Sequence, residues 1–236
     1  MEQQITISPV SECALLIRFS NSEPNCSLPS IIGAATEQLY NQLNHYIMNI
    51  TPSVDSILVD YLPHRIGFKT LTSRIEQCII SIDENSLTSS QTHPLELPVY
   101  YHLDVGPDIK QYENKGITLA QLIEIHSQPI YTVVAIGFAP GFAFMKDVDT
   151  QLQLPRLSTP RLNVPKGSVA IAENYTAIYP NASPGGWNII GNCPIELYQT
   201  DKEPMIPFKI GSKIKFTPID RDTFFSLGGT IEGEFS

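Results

Sequence analysis

Long hydrophobic runs are missing from this 236-residue sequence. No stretch reaches the roughly 18 consecutive apolar residues that a membrane-spanning helix needs. Residues 1–10 also lack the basic start and the apolar core of a signal peptide. We therefore expect a cytoplasmic protein without a membrane partner.

Basic residues are scarce: 15 Lys and Arg stand against 24 Asp and Glu, which gives a net charge of −9. Non-specific binding to nucleic acid depends on clustered Lys and Arg, because these side chains replace the counterions of the phosphate backbone. The composition therefore predicts no nucleic-acid partner.

Cysteine is rare as well, and the four residues form neither a C-x-x-C pair nor a zinc-binding spacing with histidine. We expect no metal site and no disulfide framework. Buried, reduced thiols are the favoured interpretation for Cys13, Cys26, Cys78 and Cys193. A reactive thiol remains an alternative for Cys193, which lies in a Gly-Asn-Cys-Pro turn.

Self-contained catalytic signatures are also absent. The sequence has no P-loop, no G-x-G-x-x-G, no H-E-x-x-H and no G-x-S-x-G motif. Any activity must come from an unfamiliar site or from a site shared with a partner.

The chain length fits two modest domains, and 19 prolines and 14 glycines favour turns over long helices. Strand-like runs at 5–7 and 14–19 precede a helix that begins near Pro29, and a strand at 56–62 precedes a second amphipathic helix. The first helix is predicted from an apolar stripe at four-residue steps: Ile31, Ala35, Leu39, Leu43 and Ile47. This order predicts a small two-layer α/β domain over residues 1–83.

Residues 84–94 are polar and lack hydrophobic periodicity, so we expect a linker there. Beyond it, a strand is predicted at 95–102, and a capping box at 118–121 opens a helix that runs through His126. An apolar strand at 130–138 is followed by short strands between Pro and Gly residues. The pattern predicts a β-barrel or sandwich over residues 95–236.

The sequence is most informative at three stretches, of which the first is the loop at 137–142, Gly-Phe-Ala-Pro-Gly-Phe. Its glycines permit a sharp turn, and Phe138 and Phe142 supply flat apolar walls around Gly141. Such a loop could cradle a small planar amide. The alternative is a tight turn with core aromatics.

The second stretch, residues 155–168, holds three cations on a segment stiffened by three prolines. Arg156, Arg161 and Lys166 would suit a carboxylate or phosphate, and Ser168 closes the stretch. Solvated surface charge is the alternative for each cation.

The third stretch runs from Tyr179 to residue 188 and contains Trp187, the only tryptophan. Its turn, Ser183 to Gly186, could present backbone donors to an oxyanion, with Trp187 as a stacking wall. The alternative is a buried tryptophan that anchors a hairpin. His126 could act as a general acid or base near neutral pH, or it could be structural.

Five motifs in this order resemble the family that comprises allophanate hydrolase subunit 1, the kinase inhibitor KipI and the B subunit of 5-oxoprolinase. They are G-P-D, I-H-S, G-F-x-P-G-F, T-P-R-x-x-V-P-x-G-S-V and Y-P-x-x-S-P-G-G-W. The resemblance implies an α+β protein, with a small N-terminal α/β domain and a cyclophilin-like β-barrel.

The resemblance implies one component of an ATP-dependent 5-oxoprolinase, inactive without partners that resemble the A and C subunits of that enzyme. ATP would be the co-substrate of the complex, and this chain carries no biotin-attachment motif. Two alternatives are a KipI-like histidine-kinase inhibitor and a carboxyltransferase-type component of urea or allophanate metabolism.

We predict catalytic roles for His126, Arg161 and Ser183. The predicted substrate-binding residues are Phe138, Gly141, Phe142, Lys166, Ser168, Tyr179, Gly185, Gly186 and Trp187.

The chain departs from the family pattern at two places. Relatives usually read Y-G-G-E and A-G-G-Q-T-G, where this chain has Y-H-L-D at 101–104 and A-E-N-Y-T-A at 172–177. Both glycine pairs are lost, and side chains replace backbone that could have approached a ligand. The resemblance therefore leaves the exact substrate open.

Overall fold

The computed structural model describes residues 4–20, 28–82 and 93–231. Clustering of contacts divides the chain into two compact units, Met1–Thr92 and His93–Ser236. Most of the predicted linker, residues 84–92, lies outside the described residues, so its boundaries stay a prediction.

The N-terminal unit is a four-stranded antiparallel sheet with two helices, in the sheet order β1-β2-β4-β3. Its elements are β1 (Gln4–Ser11), β2 (Ala14–Ser20), α1 (Leu28–Leu43), β3 (Ile47–Pro52), β4 (Ser56–Tyr61) and α2 (Phe68–Ile80). The buried residues of α1 and α2 include most of the predicted apolar stripes. The expected two-layer α/β arrangement is confirmed.

Strand β3 was not predicted, and the assignment of Ile47 to the first helix was wrong. The helix ends at Leu43, whose carbonyl accepts a hydrogen bond from the Tyr46 N–H in a turn. Ile47 then opens β3, which is poorly buried and, among the described strands, pairs with β4 alone. An exposed edge strand carries little of the alternating hydrophobicity by which strands are recognised.

The C-terminal unit is built on a seven-stranded sheet, in the order β12-β9-β10-β7-β6-β13-β5. Its strands are β5 (Leu95–Val99), β6 (Ile130–Ile136), β7 (Ala143–Lys146), β9 (Ser168–Ala172), β10 (Tyr175–Ile178), β12 (Asn188–Asn192) and β13 (Lys213–Pro218). Tyr100 and Asn192 exchange two backbone hydrogen bonds of 2.9 Å, which join the two edges of the sheet. The expected barrel is confirmed.

Shorter elements surround the barrel: helices α3 (Ile109–Glu113), α4 (Leu119–Ser127) and α5 (Arg221–Ser226), and a separate pair, β8 (Arg161–Val164) with β11 (Ser183–Gly185). The predicted capping box of α4 is present. The Thr118 hydroxyl accepts from the Gln121 N–H, and the Gln121 side chain accepts from the Thr118 N–H.

Two hydrophobic cores lie on opposite faces of the barrel wall, because successive side chains of a strand alternate between faces. On β9, Val169 and Ile171 belong to the barrel core, whereas Ala170 and Ala172 belong to a second core. We call the second core the outer cluster: Phe142, Val164, Ala170, Ala172, Ala177, Tyr179, Trp187 and Ile189.

Cys78 and Cys193 are buried and Cys13 is partly exposed, all as free thiols, while Cys26 lies outside the described residues. Burial raises the pKa of Cys193 to about 12, so this thiol stays protonated at neutral pH. That protonation disfavours the reactive alternative. Among the helices of the described part, none is long and apolar enough to cross a membrane.

Candidate functional site

The three informative stretches of the sequence meet at the outer cluster. The ring of Phe142, from the first stretch, lies edge-on to Tyr179 and Trp187 of the third, with ring centroids 5.2 and 5.5 Å apart. The second stretch adds Val164, whose strand β8 pairs with the strand of Ser183. One face of the barrel therefore carries all three.

The loop at 137–142 presents an aromatic ring to solvent. It is closed by hydrogen bonds from the Gly137 N–H to the Phe142 carbonyl (3.1 Å) and from the Phe142 N–H to the Ala139 carbonyl (2.9 Å). Phe138 adopts a left-handed φ of 73° and remains 65% exposed, with its ring 5.1 Å from that of Phe142. A strained, exposed aromatic residue at a loop tip is typical of a binding surface.

Tyr179 lies directly beneath the glycine turn of the third stretch. A Cβ atom built on Gly185 would fall 2.3 Å from the Tyr179 hydroxyl oxygen, so only glycine allows this approach. Burial raises the pKa of Tyr179, and the backbone N–H of Trp187 and the guanidinium groups of Arg156 and Arg161 partly oppose this shift. The phenol is therefore protonated at neutral pH and lies close to two positive charges.

We expect Gly185→Ala to lower the free energy of unfolding of the C-terminal unit by about 1–3 kcal/mol, the usual cost of overpacking. The new methyl group must displace a tyrosine that is packed against Phe142. Gly186→Ala is the matched control, since its Cβ atom would meet no atom closer than 3.7 Å. Urea unfolding of both variants, followed by Trp187 fluorescence, checks the difference. Equal losses would contradict this account of the turn.

Arg161 is engaged by a carboxylate that the sequence reasoning did not include. Its two terminal nitrogens lie 2.9 and 3.0 Å from the carboxylate oxygens of Asp108, and both side chains are largely buried. Asp108 also accepts from the Ile189 N–H (2.7 Å) and from the Gln111 side chain (2.8 Å). The ion pair joins the G-P-D motif, which contains Asp108, to the T-P-R motif, which contains Arg161. The presence of Asp108 in one of the family motifs was the sequence signal that could have identified it.

The other two cations of the second stretch differ in their partners. Lys166 forms a surface ion pair with Glu196. Arg156 is exposed and its guanidinium carbon lies 5.9 Å from the centre of the Trp187 ring. Within the part of the chain that the structure describes, no carboxylate pairs with Arg156.

Some of the predicted binding residues are buried and others reach the surface. Phe142, Tyr179, Trp187, Ser168 and Gly141 are buried, whereas Phe138, Lys166 and the turn at 183–186 reach the surface. The hydroxyl oxygens of Ser168 and Ser183 are buried and have no hydrogen-bond partner among the described residues. The buried residues form a floor, and the surface residues form its rim.

His126 lies in the barrel core, away from solvent. Its Nδ1 is 2.7 Å from the Tyr101 hydroxyl and its Nε2 is 2.9 Å from the Thr176 hydroxyl. Because Thr176 donates to the Ala170 carbonyl, it accepts from Nε2–H, and Nδ1 then accepts from Tyr101.

Burial lowers the pKa of His126 to about 3. A fully buried imidazole that stays neutral, with both nitrogens engaged, lacks the access to substrate that a general acid or base needs. The geometry therefore favours the structural alternative for His126.

The positions of the two lost glycine pairs lie at turns. Glu173 and Asn174 form the tip between β9 and β10, where Glu173 adopts a left-handed φ of 52°. In the other departure, Leu103 is exposed and Asp104 pairs with Arg221 at 3.1 Å on the surface. These substitutions are accommodated by surface turns.

A second concave surface lies in the N-terminal unit. It is a cleft of about 520 Å³ lined by residues of α1, β3 and the turn between them: Thr36, Glu37, Tyr40, Asn41, Asn44, Ile47, Met48, Asn49 and Ile50. None of these side chains is an obvious nucleophile or a cation. In neither unit do the described residues include a group of three or more His, Cys, Asp or Glu that could hold a metal ion.

The chain is similar to proteins of known family. Residues 5–208 match the model of the carboxyltransferase domain, subdomain C and D. The B subunit of 5-oxoprolinase from Bacillus subtilis strain 168 is 29% identical over 95% of this chain and 97% of its own length. The corresponding B subunit from Haemophilus influenzae is 31% identical over 90% of this chain and 97% of its own length.

Solved structures share the fold. TTHA0988 superposes with a TM-score of 0.75 at 27% identity over 88% of this chain, which spans only 40% of that protein. The urea carboxylase of Kluyveromyces lactis superposes with a TM-score of 0.62 over 95% of this chain and 22% of its own length. At 14% identity, the second likeness shows the fold alone.

Proposed function

Because this chain belongs to the family of the carboxyltransferase domain, subdomain C and D, we propose that it is one component of an ATP-dependent 5-oxoprolinase. The reaction would convert 5-oxo-L-proline, ATP and water into L-glutamate, ADP and phosphate. The observation that carries the proposal is the match to B subunits of this enzyme along nearly their whole length.

In this proposal the substrate binds at the outer cluster. A lactam is a stable amide, so ATP would activate it by phosphorylation of its oxygen and make the carbonyl carbon susceptible to water. The flat ring of Phe138 offers an apolar wall for the lactam. We assign the hydrogen-bond donor toward the negative charge that develops on oxygen to the backbone of Gly186, because Ser183 and Gly185 pair with β8 and the Ser183 hydroxyl is buried.

The remaining predicted residues have supporting roles in this proposal. Gly141, Phe142, Ser168, Tyr179 and Trp187 form the floor beneath the substrate. Lys166 adds a positive charge to the rim, and its ion pair with Glu196 partly neutralises that charge. Arg161 holds the floor in place through Asp108 rather than by offering its fork to the substrate.

Partner proteins are part of the proposal. The sequence has no P-loop and no self-contained catalytic signature, so we assign ATP to the complex as a whole. The match to only 40% of TTHA0988 supports a larger assembly, since that protein continues well beyond the matched region. We propose proteins similar to the A and C subunits of 5-oxoprolinase as the partners, in the cytoplasm where ATP is available.

We expect the purified chain alone, given 5-oxoproline and ATP, to release no glutamate above the background without protein. The rim of the site contains no nucleotide-binding motif, so we expect phosphorylation and hydrolysis to need a partner protein. Glutamate measured by mass spectrometry, with the complete complex as the positive control, checks this. Robust turnover by the lone chain would refute the shared site.

A further inference from the structure

The backbone on both sides of Arg156 is fixed to the glycine turn. The Pro155 carbonyl accepts a hydrogen bond of 2.9 Å from the Asn188 side chain. The Leu157 N–H donates a hydrogen bond of 2.7 Å to the Gly186 carbonyl. Arg156 is therefore held beside Gly186 although it lies outside any strand or helix.

The side chain of Arg156 is also oriented. Its guanidinium lies 5.9 Å from the centre of the Trp187 ring, and a stacked guanidinium keeps its N–H groups available at the edge. Its positive charge also acts on the Tyr179 hydroxyl. Burial raises the pKa of that hydroxyl, and the guanidinium partly opposes the increase. Arg156 is therefore held at its neighbouring backbone groups, and its guanidinium lies over Trp187.

The three cations of the stretch are not equivalent. Asp108 occupies the fork of Arg161 and Glu196 pairs with Lys166. Arg156 has no carboxylate partner in the described ranges of the chain. The planar guanidinium of an arginine can bind a carboxylate through two parallel hydrogen bonds, a geometry that no other side chain offers.

We propose that Arg156 binds the carboxylate of the substrate, with Trp187 orienting its guanidinium. This inference rests on the proposed function for the identity of the ligand. It assigns to Arg156 the specificity for an acidic lactam over a neutral one.

The test compares 5-oxoproline with 2-pyrrolidinone, the same lactam without a carboxylate, on the complete complex. We expect Arg156→Met to raise the KM for 5-oxoproline roughly 10- to 100-fold with little change in kcat, because a charge-assisted contact to the bound substrate is lost. Arg156→Lys restores the charge without the fork and should recover only part of the loss. Arg221→Met is the control, since Arg221 is also exposed and stacked, over Phe225 at 5.5 Å.

A second readout is independent of turnover. Trp187 is the only tryptophan, so its fluorescence in the full chain reports on this site alone. We expect 5-oxoproline to change the emission of the wild-type chain and of Arg221→Met, and Arg156→Met to need at least tenfold more ligand. The response to 2-pyrrolidinone should stay within about twofold in all three proteins.

The two proposals can fail separately. An unchanged KM for 5-oxoproline in Arg156→Met, in a complex that turns over, would overturn the role of Arg156 and leave the proposed function standing. A complex that does not open 5-oxoproline, together with a fluorescence response to 5-oxoproline that requires Arg156, would overturn the proposed function and support the carboxylate site. No response of Trp187 to either lactam, in an active complex with unchanged KM values, would overturn the site.

Discussion

Asp108→Ala is expected to lower the free energy of unfolding of the C-terminal unit by about 3–5 kcal/mol, the usual cost of breaking a buried ion pair from one side. The substitution leaves the Arg161 guanidinium buried without its carboxylate. It also removes the acceptor of the Ile189 N–H. Urea unfolding followed by circular dichroism checks the value.

Asp104→Ala is the matched control for this prediction. Asp104 pairs with Arg221 at 3.1 Å, but both side chains are more than one third exposed. A surface pair contributes roughly 0–1 kcal/mol, so this variant should unfold almost like the wild type. If both substitutions cost the same, Asp108 does not hold the floor of the site.

Arg161 is the other half of this buried ion pair, so we expect a structural role for it rather than the catalytic role predicted from the sequence. An arginine that only bound substrate could be replaced with little loss of stability. Because its fork is engaged by buried Asp108, Arg161→Met should instead destabilise the unit by an amount similar to Asp108→Ala. The positioning of the floor would be lost as a consequence.

The stability of the C-terminal unit should fall steeply with acidity because of His126. Burial lowers the pKa of His126 to about 3 in the folded state, whereas an unfolded histidine titrates near pH 6.5. Between these values the unfolded state binds a proton that the folded state does not. Stability is therefore fully present above about pH 6.5 and is lost by roughly 1.4 kcal/mol per pH unit as the pH falls toward 3.

The pH dependence of urea unfolding from pH 7 to 4.5 checks this prediction. His126→Phe should have a shallower dependence by about one proton, even if the loss of its hydrogen bonds lowers stability at pH 7. His93→Gln is the matched control, because it removes an exposed histidine of the same unit. An identical slope in His126→Phe and the wild type would show that another group carries the acid sensitivity.

Local signals were sufficient for much of the fold. The capping box of α4 and the apolar runs of β6 and β9 depend on neighbouring residues, and the sequence shows them directly. Strand β3 escaped because it is a poorly buried edge strand. The joining of Tyr100 to Asn192 escaped because a pattern within one strand does not specify a partner 92 positions away.

The candidate site shows the same division. The motifs that suggested an aromatic cradle do meet on one face, because each follows or joins a strand of the same barrel. Their individual roles depend on tertiary partners. Asp108 pairs with Arg161 and so engages its guanidinium. Tyr101 and Thr176 engage both ring nitrogens of His126. Residue type alone could not separate the engaged Arg161 from the exposed Arg156.

We expect this chain to be required for the ATP-dependent opening of 5-oxoproline. The most direct measurement is glutamate release by the A-like and C-like partner proteins, with and without this chain and with and without ATP. We predict release only when the chain and ATP are both present. An equal rate without this chain would contradict the proposed function.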